Sequence, residues 1–181
     1  MINRIRITAF IAIFIPAMVA AEIIDRGNFL TDTETQLDWL KLTLSANRSY
    51  NDVSSQFDKD GDFSGWRYAS IEEIKTLLQH YTKISGMRHV NKIKTSSTDT
   101  FLPDTLAGLI KMLGVPDPRN NPDRAFGMAR ADNPYLGTPG FILTADKTDH
   151  DEACEVSLPA RVKSTHSHSY GSFLVRDRSK N

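Results

Sequence analysis

The stretch Asp62-Phe63-Ser64-Gly65-Trp66-Arg67-Tyr68-Ala69-Ser70-Ile71-Glu72-Glu73-Ile74 sets a loop, a short aromatic strand and a helix start end to end. Trp66 and Tyr68 sit two residues apart, as on one face of a strand, with Arg67 directed to the other. Ser70 and Glu73 have the spacing of a capping box, in which each side chain satisfies a backbone N–H left over at a helix start. Ile71, Ile74, Leu77, Leu78 and Tyr81 continue at helical spacing. The three elements are expected to meet around a buried Trp66, with Trp39, Tyr68 and Ile74 completing the structural core. On that reading, Trp66→Ala costs about 3–5 kcal/mol.

A chain of 181 residues is long enough to bury one substantial core. Its formal net charge is zero, so neither a nucleic acid nor an anionic membrane is an expected partner. The first residues stand apart. Arg4 and Arg6 precede an apolar run from Ile7 to Ala20, interrupted by Pro16, and Val19-Ala20-Ala21 supplies small residues for cleavage. This is the pattern of a secretory signal peptide over residues 1–21, followed by one α+β domain over 22–181. The apolar run is shorter than the roughly 20 residues a membrane-spanning helix needs. Cleavage removes two of the 22 basic residues and none of the 22 acidic ones, leaving a mature domain with two more acids than bases. A periplasmic or extracellular location follows, with no membrane span after cleavage.

Export permits disulfides, yet Cys154 is the only cysteine, so no bridge within the chain is possible. Asp149, His150, Asp151 and Glu152 precede it, and neighbouring acids disfavour a thiolate. An incidental thiol, or one that pairs between chains, is expected rather than a nucleophile.

In chain order, residues 29–32 and 36–40 read as a hairpin around Thr33-Glu34-Thr35, with Leu37 and Trp39 on one face and Asp38 on the other. Ser49 is placed to cap a helix from Tyr50, whose apolar side is Tyr50, Val53 and Phe57. Residues 84–99, basic and then rich in Ser and Thr, read as a loop. Leu106, Leu109, Ile110 and Leu113 mark another helix, with Asp104 as its N-cap and Gly114 as its stop. Residues 115–139 form a long excursion containing a strand near 124–130. Strands follow at 140–144, 155–158 and 171–176. Strands at both ends with helices between them argue an α+β fold. Pairing of the first hairpin with the last strand would bring the ends of the domain together and carry long loops on one side.

Leu30-Thr31-Asp32-Thr33-Glu34-Thr35-Gln36-Leu37-Asp38-Trp39-Leu40 resembles the opening L-x-D-x-x-T-x-L-x-W-L block of a group of exported bacterial domains. Ser49-Tyr50-Asn51-Asp52-Val53, Phe63-Ser64-Gly65-Trp66-Arg67-Tyr68-Ala69 and Gly171-Ser172-Phe173-Leu174-Val175-Arg176 resemble its later blocks. The resemblance is to PEP-CTERM-associated domains of the W-R-Y-A type, distantly similar to the C-terminal domain of collagen-like bacterial lectins. It implies a C-type-lectin-like fold, with terminal strands paired in one sheet, two or three helices and ligand-binding loops. The likeness covers residues 29–81 and 171–176. No sorting helix follows Arg176, so an anchor of that kind is not expected.

Asp58, Asp60 and Asp62 alternate around Gly61 and are the candidate ligands for calcium. Counted from Asp58, the glycine and glutamate that close an EF-hand are replaced by Phe63 and Ala69, so a solvated acidic turn is the preferred reading and no functional metal or other cofactor is expected. His150, Cys154, His166 and His168 form no compact zinc spacing, although His166 and His168 would share one face of a strand. Trp39, Trp66 and Tyr68 could form a sugar-stacking platform, but aromatics at strand spacing are more often core. Arg67 and Arg176 are expected to pair with carboxylates such as Asp38. No Ser–His–Asp order, phosphate loop or nucleotide fingerprint occurs.

The expected function is that of an exported, non-catalytic binding module for a glycan or a cell-surface component. The alternatives are a structural protein docking to a protein partner, and an enzyme related to the formylglycine-generating oxidases, against which Cys154 in its acidic setting counts. N-terminal sequencing of the exported protein is expected to begin at or near Glu22. Recovery of the intact chain from the soluble exported fraction would be the contrary result.

Overall fold

The computed structural model describes residues 22–84, 103–119, 124–130, 138–147, 152–157 and 160–178. The predicted signal peptide, most of the predicted loop at 84–99, and His150 lie outside them. The chain opens with strands β1 (Ile23–Asp25), β2 (Phe29–Asp32) and β3 (Leu37–Leu40), followed by a 3-10 turn at Leu42–Ser45. Helix α1 (Tyr50–Ser54), strand β4 (Arg67–Tyr68) and helices α2 (Ile71–Ile84) and α3 (Pro103–Leu113) come next. Strands β5 (Arg124–Met128), β6 (Thr138–Lys147), β7 (Glu152–Ser157), β8 (Ala160–Arg161), β9 (Gly171–Ser172) and β10 (Leu174–Asp177) complete an α+β fold.

The strands form two sheets. The first is antiparallel with order β1-β2-β3-β10-β4, so the opening hairpin lies beside the last strand as expected. The second has order β7-β6-β5-β9, with β8 also on β6, and its β5–β9 pair is parallel. Only Phe173 separates β9 from β10, so one terminal segment is stitched into both sheets. Phe173 bonds outward through its backbone, its N–H donating to the Met128 carbonyl at 2.9 Å and its carbonyl accepting from Ala69 N–H at 2.8 Å.

The hydrophobic pattern follows the period of two. Leu30, Trp39 and Val175 turn one face of the first sheet toward Ile74, Leu77 and Leu78 of α2 and Leu106, Leu109, Ile110 and Leu113 of α3. Leu40, Tyr68 and Leu174 belong to a second cluster with Val53, Phe63 and Met128. Adjacent residues of β10 therefore feed different cores. Close approach explains two glycines: a Cβ at Gly127 would strike the Phe173 ring, and one at Gly171 would strike the Leu42 backbone.

The local signals operate as chemistry requires. Ser49 Oγ accepts from Asp52 N–H at 3.2 Å, and Ser70 Oγ accepts from Glu73 N–H at 3.2 Å. Glu73 Oε2 reciprocates by accepting from Ser70 N–H at 2.8 Å, which completes the capping box. Helix α3 starts at Pro103, so Asp104 lies inside its first turn and is not the N-cap; proline suits the first helical position because its missing N–H has no partner there anyway. Gly114 ends α3 at φ +83°.

One expectation is corrected. Trp66 is half-buried at the margin of the second cluster, whereas Trp39 is the tryptophan of the main core, at 1% exposure. Trp66 precedes the two-residue edge strand β4, while Trp39 lies in β3 with β2 on one side and β10 on the other. Tyr68 and Ile74 are buried as expected. Trp39→Ala is therefore expected to cost about 3–5 kcal/mol, and Trp66→Ala distinctly less. Denaturant midpoints of the two variants test the order.

Candidate functional site

On the second-cluster face of the first sheet, register places Thr31, Asp38 and Arg176 in one rung across β2, β3 and β10. Thr31 Oγ1 donates to Asp38 Oδ1 at 2.7 Å, and Arg176 Nε donates to Asp38 Oδ2 at 3.0 Å. Thr31 and Asp38 are buried, but the Arg176 side chain keeps 38% of its surface exposed. Its guanidinium carbon lies 4.5 Å from the centre of the Trp66 ring and 4.8 Å from that of Phe29. The two rings meet edge to face, with centroids 6.3 Å apart. Phe29, Trp66 and Arg176 thus form a half-exposed aromatic and cationic group on a hydrogen-bonded sheet. It uses the aromatic face twice, because a ring quadrupole attracts a cation and offers an apolar surface.

The expected carboxylate partners are present, differently distributed. Arg176 meets Asp38, while Arg67 forms a two-pronged pair with Glu73, at 3.0 and 2.7 Å, and lies 3.8 Å from Asp177. Burial alone would raise the Glu73 carboxyl, but hydrogen bonds from Arg67 and from the Ser70 N–H and hydroxyl outweigh it and bring it down to about 2.

The other predicted site residues do not converge. Tyr68 is buried, stacked on Tyr50 at 4.1 Å and 12°, and burial pushes its phenol pKa up. With Trp39 also in the core, a platform of Trp39, Trp66 and Tyr68 does not exist; the ring beside Trp66 is Phe29. Asp58, Asp60 and Asp62 are exposed, and Asp62 accepts from Arg48 at 2.7 Å. Arg48 is also bound to Asp52 at 2.6 Å, and these two carboxylates hold its guanidinium in the charged form. No group of three or more metal-ligating side chains occurs among the described residues. His166 and His168 are exposed in a turn-rich loop rather than on a strand, and Cys154 lies in β7.

The sequence reading missed His80. Its Nδ1 lies 2.9 Å from Asp32 Oδ2 and its Nε2 3.5 Å from Glu34 Oε1. Asp32 is buried and its other oxygen accepts from Glu34 N–H at 2.9 Å, so the imidazole clasps the β2–β3 turn to α2. Both ring nitrogens face carboxylates, and the hydrogen bond at Nδ1 suits a structural tie. No local spacing announces such a contact, since 48 residues separate the partners.

Compared with known proteins, the chain matches no family model, no curated protein and no solved structure. No helix among the described residues is long and apolar enough to cross a membrane.

Acid should weaken the α2 start. The Glu73 carboxyl has a lowered folded-state pKa, so its contribution is complete above its ordinary value and is lost as pH falls toward about 2. Glu73→Gln is expected to lower stability at neutral pH and to flatten the decline between about pH 5 and 2, read from denaturation midpoints across that range.

Proposed function

We propose that this protein is an exported, non-catalytic binding module of C-type-lectin-like architecture that recognises a glycan. The observation that carries the reading is the half-exposed group of Phe29, Trp66 and Arg176 at the first antiparallel sheet. Flat rings accept the apolar C–H faces of sugars, and a fixed guanidinium supplies directional N–H donors. Mounting Phe29 and Arg176 on paired strands, with Trp66 immediately before β4, limits the ordering that binding must impose.

The finer fold reading draws support from the first hairpin lying against the last strand, and from the second sheet inserted between β4 and β10 in sequence. Export rests on the charged start, apolar run and small residues of 1–21. A second reading, docking to a surface protein, draws on the same patch, because tryptophan and arginine are enriched among the residues that dominate protein interfaces.

A glycan array probed with the exported protein tests the proposal. Selective binding is expected, reduced at least tenfold by Trp66→Ala in a variant shown to be folded by its thermal transition. Absence of binding to every glycan, with capture of a surface protein through the same patch, would replace it with the second reading.

A further inference from the structure

The ion-paired arginines differ in how much of the fork is used. Arg67 commits both terminal nitrogens to the two oxygens of Glu73, at 3.0 and 2.7 Å. Arg48 commits Nε and both terminal nitrogens to Asp52 and Asp62. Arg176 commits only Nε, to Asp38, and among the described residues its two terminal nitrogens have no hydrogen-bond partner. Four of the five N–H donors of a guanidinium sit on those terminal nitrogens. The plane they share is already set by Asp38 at one corner and by the Trp66 and Phe29 rings. This arginine is oriented without being saturated, and it is partly exposed.

We infer that Arg176 is a carboxylate-recognition residue, and that the glycan taken by this face is an acidic one carrying uronic acid units. The inference rests on the glycan-binding reading above. A carboxylate presents two coplanar oxygens that match paired N–H donors, whereas a neutral sugar hydroxyl engages only one. Asp38 does not close the site, since its contact is with Nε and its other oxygen accepts from Thr31. Arg178, two residues further along, is exposed and adds a second cation at this end of β10. The half-buried Trp66 supplies an apolar surface next to the fork for the sugar ring that bears the carboxylate. An ammonium in place of the guanidinium would keep the charge but lose the planar pair of donors.

Binding of oligogalacturonate to the exported protein, compared with the same oligosaccharide after reduction of its carboxyl groups, tests the inference. The acidic form is expected to bind at least tenfold more tightly. Arg176→Lys, which keeps a cation beside Asp38, is expected to remove that preference in a variant shown to be folded by its thermal transition. Should the variant fail to fold, the carboxyl-reduced ligand on the wild-type protein still decides the matter. Equal affinity for the acidic and reduced forms, or an undiminished preference in Arg176→Lys, would overturn the acidic specificity and leave glycan binding standing. Failure to bind any oligosaccharide overturns the glycan reading and this inference with it. Binding of polyglutamate but of no oligosaccharide overturns both as well, and assigns the fork to an acidic protein.

Discussion

The double use of the segment from Gly171 to Asp177 is the constraint on which the structure depends. Its first two residues pair in parallel with β5, and its last four lie antiparallel between β3 and β4. The Phe173 side chain is buried in the main core between these pairings. Burying a phenylalanine is worth roughly 1.5–3 kcal/mol relative to leaving it exposed, so the crossing is held by apolar contact as well as by ladder hydrogen bonds. Leu174 and Val175 then enter the two different clusters. A one-residue slip would exchange their faces and put Arg176 toward the core, which is why the register of this short strand is strongly specified.

The same register builds the candidate site. Arg176 lies opposite Asp38 because β10 is paired with β3 in this alignment and no other. Asp38 in turn is nearly enclosed, and its two oxygens are taken by Thr31 and Arg176. Removing the Arg176 guanidinium altogether would cost more than the pair itself is worth, because the enclosed Asp38 carboxylate is left without its charged partner. The ion pairs of Arg48 and Arg67 are more exposed and have a different role: they tie the acidic loop to α1 and the start of α2 to β4. Exposed pairs of that sort contribute little each. The site is consequently closed at Thr31 and Asp38 and open at the half-buried Phe29, Trp66 and Arg176.

The His80 clasp shows the same economy of long-range contact. It joins a turn between two strands to the penultimate turn of a helix, and the turn itself is organised by Asp32 accepting backbone N–H groups of Glu34 and Thr35. Asp32 is thus both a turn-forming residue and an anchor for the helix. Such dual use ties the hairpin of the first sheet to α2, and α3 packs against them through the apolar residues of the main core.

By itself, the sequence determined what local chemistry can determine: the hairpin around Thr33-Glu34-Thr35, the caps at Ser49 and Ser70, the stop at Gly114 and the alternation of Leu37, Asp38 and Trp39. Each depends on residues within a few positions of one another, where dihedral preference and side-chain reach act without help from the rest of the chain. Tertiary structure decided which tryptophan is the core anchor, because burial depends on how many strands and helices close over a residue and not on its neighbours in sequence. It also decided that Phe29, Trp66 and Arg176 meet, although the three are brought from different strands and loops. Spacing counts carboxylates, so in sequence the acidic loop is a candidate for calcium beside the preferred reading of a solvated turn. Folding brings Arg48 to Asp62, and a cation from the protein itself occupies part of that charge. Pairing across 138 residues, as between Asp38 and Arg176, has no local signature, since it is set by strand order and register alone.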